Sequence, residues 1–230
     1  MLGAIAIVPS APVLVPELAG AAAVEVADLT AAVLAAAALL PARWVAIGAG
    51  RADAVVAPDS VGTFAGFGAD VRVGLSPRAY DGAEPAELPV CALLAAWVRG
   101  RARPEASAHV RVYRSDHDAG AALALGRQLR AEIDQVPDLT GVLVVADGAN
   151  TLTPAAPGGH HPGDVDAQRA LDDALANGDA AALAQLPPQI LGRVAFQVLA
   201  GLTEPGPRSA KELYRGAPYG VGYFAGFWQL

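Results

Sequence analysis

Polar or metal chemistry needs imidazoles, carboxylates, thiols or hydroxyls placed where they can act together, and this chain has few of them. Its four histidines stand at positions 109, 117, 160 and 161, and its single cysteine is Cys91. His117 lies between Asp116 and Asp118. A carboxylate beside an imidazole can orient it and raise its basicity, which suits acid/base or metal work. The same acids are also what a helix start selects, so capping accounts for them without any chemistry. His160 and His161 are adjacent in a Pro/Gly-rich stretch. Neighbouring side chains diverge, so the pair is not expected to chelate one ion, although one of them could close over a ligand as part of a lid. His109 sits in an alternating strand pattern and reads as structural. Cys91 lies in the apolar run LPVCALLAAW and reads as a small buried hydrophobe. One cysteine excludes an internal disulfide and a cysteine-based zinc site. Neither GxSxG nor HExxH occurs. Ser10 is the only hydroxyl between Pro9 and Pro16, and with no histidine near it in sequence it is a weak nucleophile.

The elements that must position these groups alternate between strand and helix. Leu2–Val8 is a nearly continuous apolar run, as expected of a strand covered on both faces. Pro9, Pro12 and Pro16 stiffen the loop that follows. A long helix is predicted over 17–40, stopped by Pro41. A second strand over 43–48 runs into Gly48 and Gly50. Residues 51–70 read as loop. Their glycines at 62, 66 and 68 lack the GxGxxG spacing and the Walker lysine, so a tight turn anchored by Phe64 and Phe67 is expected, not a phosphate cradle. Further strands are predicted at 71–75, 109–113 and 141–146, with a surface loop at 76–89. Helices are predicted at 90–99, 119–133 (with Ser115 or Asp116 as N-cap), 165–176, 180–186 and 189–202. Between them, residues 147–164 form a long polar loop that opens on Asp147-Gly148. The segment 219–228 reads as a last strand with glycines at 220, 222 and 226 along one face. The pattern predicts one α/β domain over 1–230, a three-layer α/β/α arrangement around a mostly parallel or mixed sheet.

Composition narrows the classes of function. The chain of 230 residues carries a net charge of −7, with Lys211 its only lysine and arginines scattered. No basic patch or run is visible, which argues against nucleic acid or an anionic membrane surface as partner. The apolar stretch 19–40 is interrupted by Glu25, Asp28 and Thr30 and is rich in weakly hydrophobic alanine, so a soluble helix is expected there and no membrane span. No signal-peptide pattern opens the chain, and a cytoplasmic protein is the expectation.

Several segments resemble a known family: the opening AIVPSAPVLVPELAG, then TFAGFGADVRVGL, VVADGAN, ANGDAAALAQL, FQVLAGL and the ending APYGVGYFAGFW. Together they resemble the actinobacterial branch of the class III extradiol ring-cleavage dioxygenase superfamily, the LigB-like fold that includes Memo. The resemblance implies a LigB-like α/β fold. In active members it implies a ferrous ion held by two histidines and a carboxylate, with a further histidine as acid/base. Carried onto this sequence, the first metal histidine falls at Ser10, within Val8-Pro9-Ser10-Ala11-Pro12. The second falls in Gly48-Ala49-Gly50, and the acid/base histidine at Asn150, within Ala146-Asp147-Gly148-Ala149-Asn150. A serine and a glycine do not replace two imidazoles on iron, and an asparagine does not titrate.

The expectation is therefore a scaffold without the family's iron centre: a non-catalytic protein whose cleft binds a small molecule or a partner. Ser10, Gly50, Asp147 and Asn150 would line that cleft, with 151–163 as its lid, and no cofactor would be needed. One alternative is an enzyme with altered chemistry, hydrolase-like or using Fe2+ or Zn2+ at a relocated site, drawing on Asp147 with His117, His160 or His161. A second alternative is an assembly role in a homo-oligomer through the aromatic C-terminal strand.

Overall fold

The computed structural model describes residues 1–80 and 84–230. In chain order the elements are β1 (Leu2–Val8), α1 (Pro16–Ala19), α2 (Ala27–Ala38), β2 (Arg43–Gly50), β3 (Ala54–Val56), β4 (Val61–Thr63), β5 (Arg72–Gly74) and α3 (Val90–Ala102). Then come β6 (Ser107–Arg114), α4 (Ala119–Asp134), β7 (Thr140–Val145), α5 (Asp164–Asn177), α6 (Ala180–Ala184), α7 (Arg193–Thr203), β8 (Ser209–Gly216) and β9 (Tyr223–Gln229). The apolar runs conceal a period of two. Ala4, Ala6 and Val8 of β1 join one hydrophobic cluster with α2 and α3, while Ile5 and Ile7 join another with α4 and α7. β7 divides in the same way, Leu143 and Val145 to the first and Val142 and Val144 to the second. A strand buried on both faces needs apolar residues at every position, so its sequence shows a run with no alternation.

The seven-stranded sheet has the order β3-β6-β2-β7-β1-β9-β8. Its core β6-β2-β7-β1 is parallel, and β3, β9 and β8 each pair antiparallel with their neighbours. The predicted mixed sheet with helices on both faces is what the chain forms. The crossovers β1-α2-β2 and β2-α3-β6 progress one way along the sheet, and β6-α4-β7 returns. Right-handed connection then puts α2 and α3 on one face and α4 on the other. All four parallel strands therefore point their carboxyl ends to the same edge.

Several boundaries differ from the sequence reading. The predicted 17–40 helix is broken: Gly20, at φ 55°, ends α1, and α2 begins only at Ala27. Asp118, not Ser115 or Asp116, caps α4, its side chain accepting from the Ala121 N–H. The 51–70 region holds β3 and β4, and β4 pairs with β5 in a separate two-stranded ribbon, so the 71–75 strand is outside the main sheet. Phe64 is fully buried, but Phe67 is half exposed and anchors little. Of the loop predicted at 76–89, residues 81–83 lie outside the described residues, and Pro77–Tyr80 forms a short 3-10 turn. The last strand starts at Tyr223, after a turn at Gly220 with φ 72°. β8 has no counterpart in the sequence reading. No helix among the described residues is long and apolar enough to cross a membrane.

On the second face α4 and α7 meet at backbone distance. A Cβ on Gly126 would collide with the Val198 carbonyl, and one on Gly201 with the Leu123 carbonyl. This close approach seats α7 against the sheet and fixes where its first turn, beside the parallel strands' exits, comes to lie.

Candidate functional site

The exit loops of the four parallel strands surround a pocket of about 270 Å3. Ser10 comes from the loop after β1, Ala49, Gly50 and Arg51 from the end of β2, Ser115 from the loop after β6, and Ala146 and Asp147 from the loop after β7. Leu191 and Gly192, just before α7, close the remaining side. Ligands in open α/β sheets bind at this edge, because only loops, and no covering helices, lie over the strand ends.

Asp147 is the pivotal residue. Its Oδ1 accepts the Ser10 backbone N–H at 2.7 Å, which ties the β1 loop to the β7 loop. No described donor bonds Oδ2. Burial pushes the carboxyl up to about 7, against the pull of the Ser10 N–H. Tyr223 of β9 is buried nearby, and its phenol is raised first by burial and then by the Asp147 charge.

The backbone around Asp147 is pinned on both sides. Gly192 N–H donates to the Asp147 carbonyl at 2.8 Å and Leu191 N–H to that of Gly148 at 3.2 Å. Gly148 N–H donates to Gly222 O, and Gly222 N–H to Ala149 O, each at 2.8 Å. Between these strands of backbone lies the buried amide of Gln168. Its Oε1 accepts the Ala149 N–H and its Nε2 donates to Asp172 Oδ1, both at 2.8 Å. A Cβ on either Gly148 or Gly222 would overlap that amide, so both positions must be glycine while Gln168 stays in place. Burial raises Asp172 to about 6, opposed by the Gln168 hydrogen bond and then by the Arg215 charge.

The residues singled out in the sequence separate accordingly. Ser10, Gly50 and Asp147 line one pocket. Asn150 does not belong to its lining; its side chain packs against Gly158 inside the 147–163 loop, and its carbonyl accepts the Gly158 N–H at 2.9 Å. A residue three positions beyond the pinned Asp147 follows the loop away from the strand ends. His117 is outside the lining too, with Nε2 held by the Asp53 carboxylate at 2.9 Å. His160 and His161 are exposed. His109 lines a different cavity with Arg43, Arg111 and Glu132, at the opposite end of the strands. Cys91 is buried beneath Gly48, and burial raises its thiol to about 11, as expected for an inert packing residue. No group of three or more His, Cys, Asp or Glu side chains that could hold a metal ion occurs among the described residues.

Sequence reasoning missed Arg51, Ser115, Leu191, Gln168 and Asp172. An available signal for Arg51 was its place directly after a strand that ends in glycines. Gln168 and Asp172 are one helical turn apart, but nothing marks them in an otherwise polar helix.

No protein-family model matches the chain, and no curated protein is similar to it in sequence. Among solved structures it is similar to the crystal structure of the uncharacterized protein JW3007 from Escherichia coli K12. The match covers 98% of this chain and 99% of that one, with a TM-score of 0.60 at 13% identity. At that identity the likeness is one of fold.

Proposed function

We propose that the chain is a LigB-like scaffold, related to the class III extradiol dioxygenases and Memo proteins, whose strand-end cleft binds a small molecule without the family's iron centre. The observation that carries this reading is the convergence of Ser10, Gly50 and Asp147, from three separate exit loops, on one pocket. The resemblance puts imidazole ligands at two of those places. The groups actually there are a hydroxyl, a glycine and a single carboxyl, which do not make a facial site for ferrous iron. The pocket keeps what binding requires: apolar walls, a few polar groups and a backbone held by hydrogen bonds on either side of Asp147. A carboxyl held near neutrality inside a pocket is also what a proton-transferring enzyme would use, and this favours the hydrolase-like alternative over an assembly role.

The test is an amide chemical-shift screen of uniformly labelled protein against a library of small polar fragments. The reading expects shifts grouped at residues 10, 49–51, 115, 146–147 and 191–192. Shifts grouped anywhere else overturn it. So does stoichiometric iron in protein purified without a histidine tag, accompanied by cleavage of a catechol. Turnover of a bound ester or amide that is lost in Asp147→Asn would select the hydrolase-like alternative.

A further inference from the structure

Two oppositely charged side chains face the same pocket without meeting. Asp147 is partly buried at its floor, and Arg51 is exposed at its edge. Asp147 Oδ2 has no described partner, since the only hydrogen bond to its carboxyl goes from the Ser10 N–H to Oδ1. Arg51 makes no hydrogen bond or ion pair among the described residues. The nearest acid in sequence, Asp53, is already committed to His117 and to the Arg114 N–H. Glu87 shares a neighbouring cavity with Arg51 but does not pair with it. The rest of the lining combines the apolar Ala49, Val145, Ala146 and half-exposed Leu191 with Ser10, Ser115, Gly50 and Gly192. A partly buried carboxylate oxygen that lacks a donor is costly, and a ligand cation is a partner that removes the cost. A guanidinium with no internal acceptor recognises a carboxylate by its planar fork.

We infer that the cleft takes a small aliphatic amino-carboxylate, its ammonium group against Asp147 and its carboxylate against Arg51. The inference rests on the reading of this pocket as a small-molecule site. The volume of about 270 Å3 lies just under the range of roughly 300–1,000 Å3 that drug-sized ligands need, so a short chain fits and a large ring system does not. The polarity of the bound molecule follows from depth. The ammonium goes inward because the acid is the more enclosed of the two charges, and the carboxylate stays at the mouth with the exposed arginine.

The test titrates 5-aminopentanoate, pentanoate and pentylamine into the labelled wild type, Arg51→Gln and Asp147→Asn, following the amides of the pocket residues. In the wild type, 5-aminopentanoate binds more tightly than either single-ended probe. Asp147→Asn weakens 5-aminopentanoate and pentylamine by about tenfold or more, as expected for a charge-assisted hydrogen bond in a partly dehydrated site, and leaves pentanoate unchanged. Arg51→Gln weakens 5-aminopentanoate and pentanoate by only about two- to fivefold, because that pair is exposed, and leaves pentylamine unchanged. Unaltered amide positions away from the pocket show that each variant is folded. A variant that weakens all three probes alike overturns the inference, and so does a wild type that holds pentanoate or pentylamine as well as 5-aminopentanoate. If none of the three probes moves the pocket amides, the inference falls, and uncharged fragments that still move them leave the small-molecule reading standing. If no fragment of any kind moves them, both fall together.

Discussion

Replacing Asp147 by asparagine should stabilise the protein by an amount that grows as pH rises from about 4 and is complete above about 7. The acid sits near 3.8 when unperturbed and is raised to about 7 in the folded chain, chiefly by burial. Between those values the folded state holds a proton that the unfolded state has released, so folding stability falls as pH rises and levels off above about 7. The interval of about 3 pH units corresponds to about 4 kcal/mol. Water reaching Oδ2 through the pocket screens part of this, leaving about 2–4 kcal/mol. Asparagine is close in shape to the protonated acid, and its oxygen can still accept the Ser10 N–H. The assay is urea unfolding followed by tryptophan fluorescence, with wild type and variant compared at several pH values. Asp172, also raised by burial, contributes a slope of the same sign to both proteins and cancels in the difference. The variant should match the wild type at about pH 4 and exceed it by about 2–4 kcal/mol at about pH 8.5. A difference that does not change with pH would refute the reasoning, as would an asparagine variant that is the less stable at high pH. The sign also bears on function, because a carboxyl that works against stability at neutral pH is the kind of group that binding or catalysis retains.

Gly148→Ala should push Gln168 out of its place and cost about 2–3 kcal/mol in chemical denaturation, and the loss should be smaller in a chain that already carries Gln168→Ala. Gly201→Ala drives a methyl into the Leu123 backbone, so its helix-propensity gain of about 1 kcal/mol should be outweighed by a packing loss of about 2–3 kcal/mol, read as a lowered thermal midpoint. Arg99 is buried and donates to the carbonyls of Gly74, Pro104 and Ala106. Arg99→Met leaves all three unpaired and should lower the unfolding free energy by about 3 kcal/mol or more in urea titration.

How far the sequence could be read depended on where each interaction partner lies along the chain. β1, β2 and β7 are legible because strands buried on both faces announce themselves as apolar runs. β8, SAKELYRG, is not, for it is an edge strand with polar residues on both faces and a bulge between Glu212 and Tyr214 that breaks any alternation. Its pairing comes wholly from β9. The break at Gly20 was hidden by a run of alanines that suits a continuous helix, and no local signal outweighed it. The strand-exit position of Ser10 and Asp147 could be inferred, because doubly wound sheets gather such exits at one edge. That Asn150 leaves the pocket could not, since its course depends on the hydrogen bonds from Gly192, Leu191 and Gly222, tens of residues away. Arg51 was visible as a residue, but its lack of a partner is a property of the folded neighbourhood.

The antiparallel addition of β9 to β1 also sets the order in which the molecule can be assembled. Ala4 pairs with Gln229 and Ile7 with Gly226, so one side of the earliest strand stays open until segments more than 200 residues later have been made. At about 5–20 residues per second, that leaves a hydrogen-bonding edge unprotected for about 10–40 s on the ribosome. β1 is apolar, short of charge and rich in β-branched residues, the profile of a segment that pairs with copies of itself when left uncovered. Completion of the sheet by β9 and β8 therefore doubles as the end of a hazardous interval. Their polar outer strand, with Lys211, Glu212 and Arg215 along it, leaves the finished sheet an edge ill-suited to further pairing.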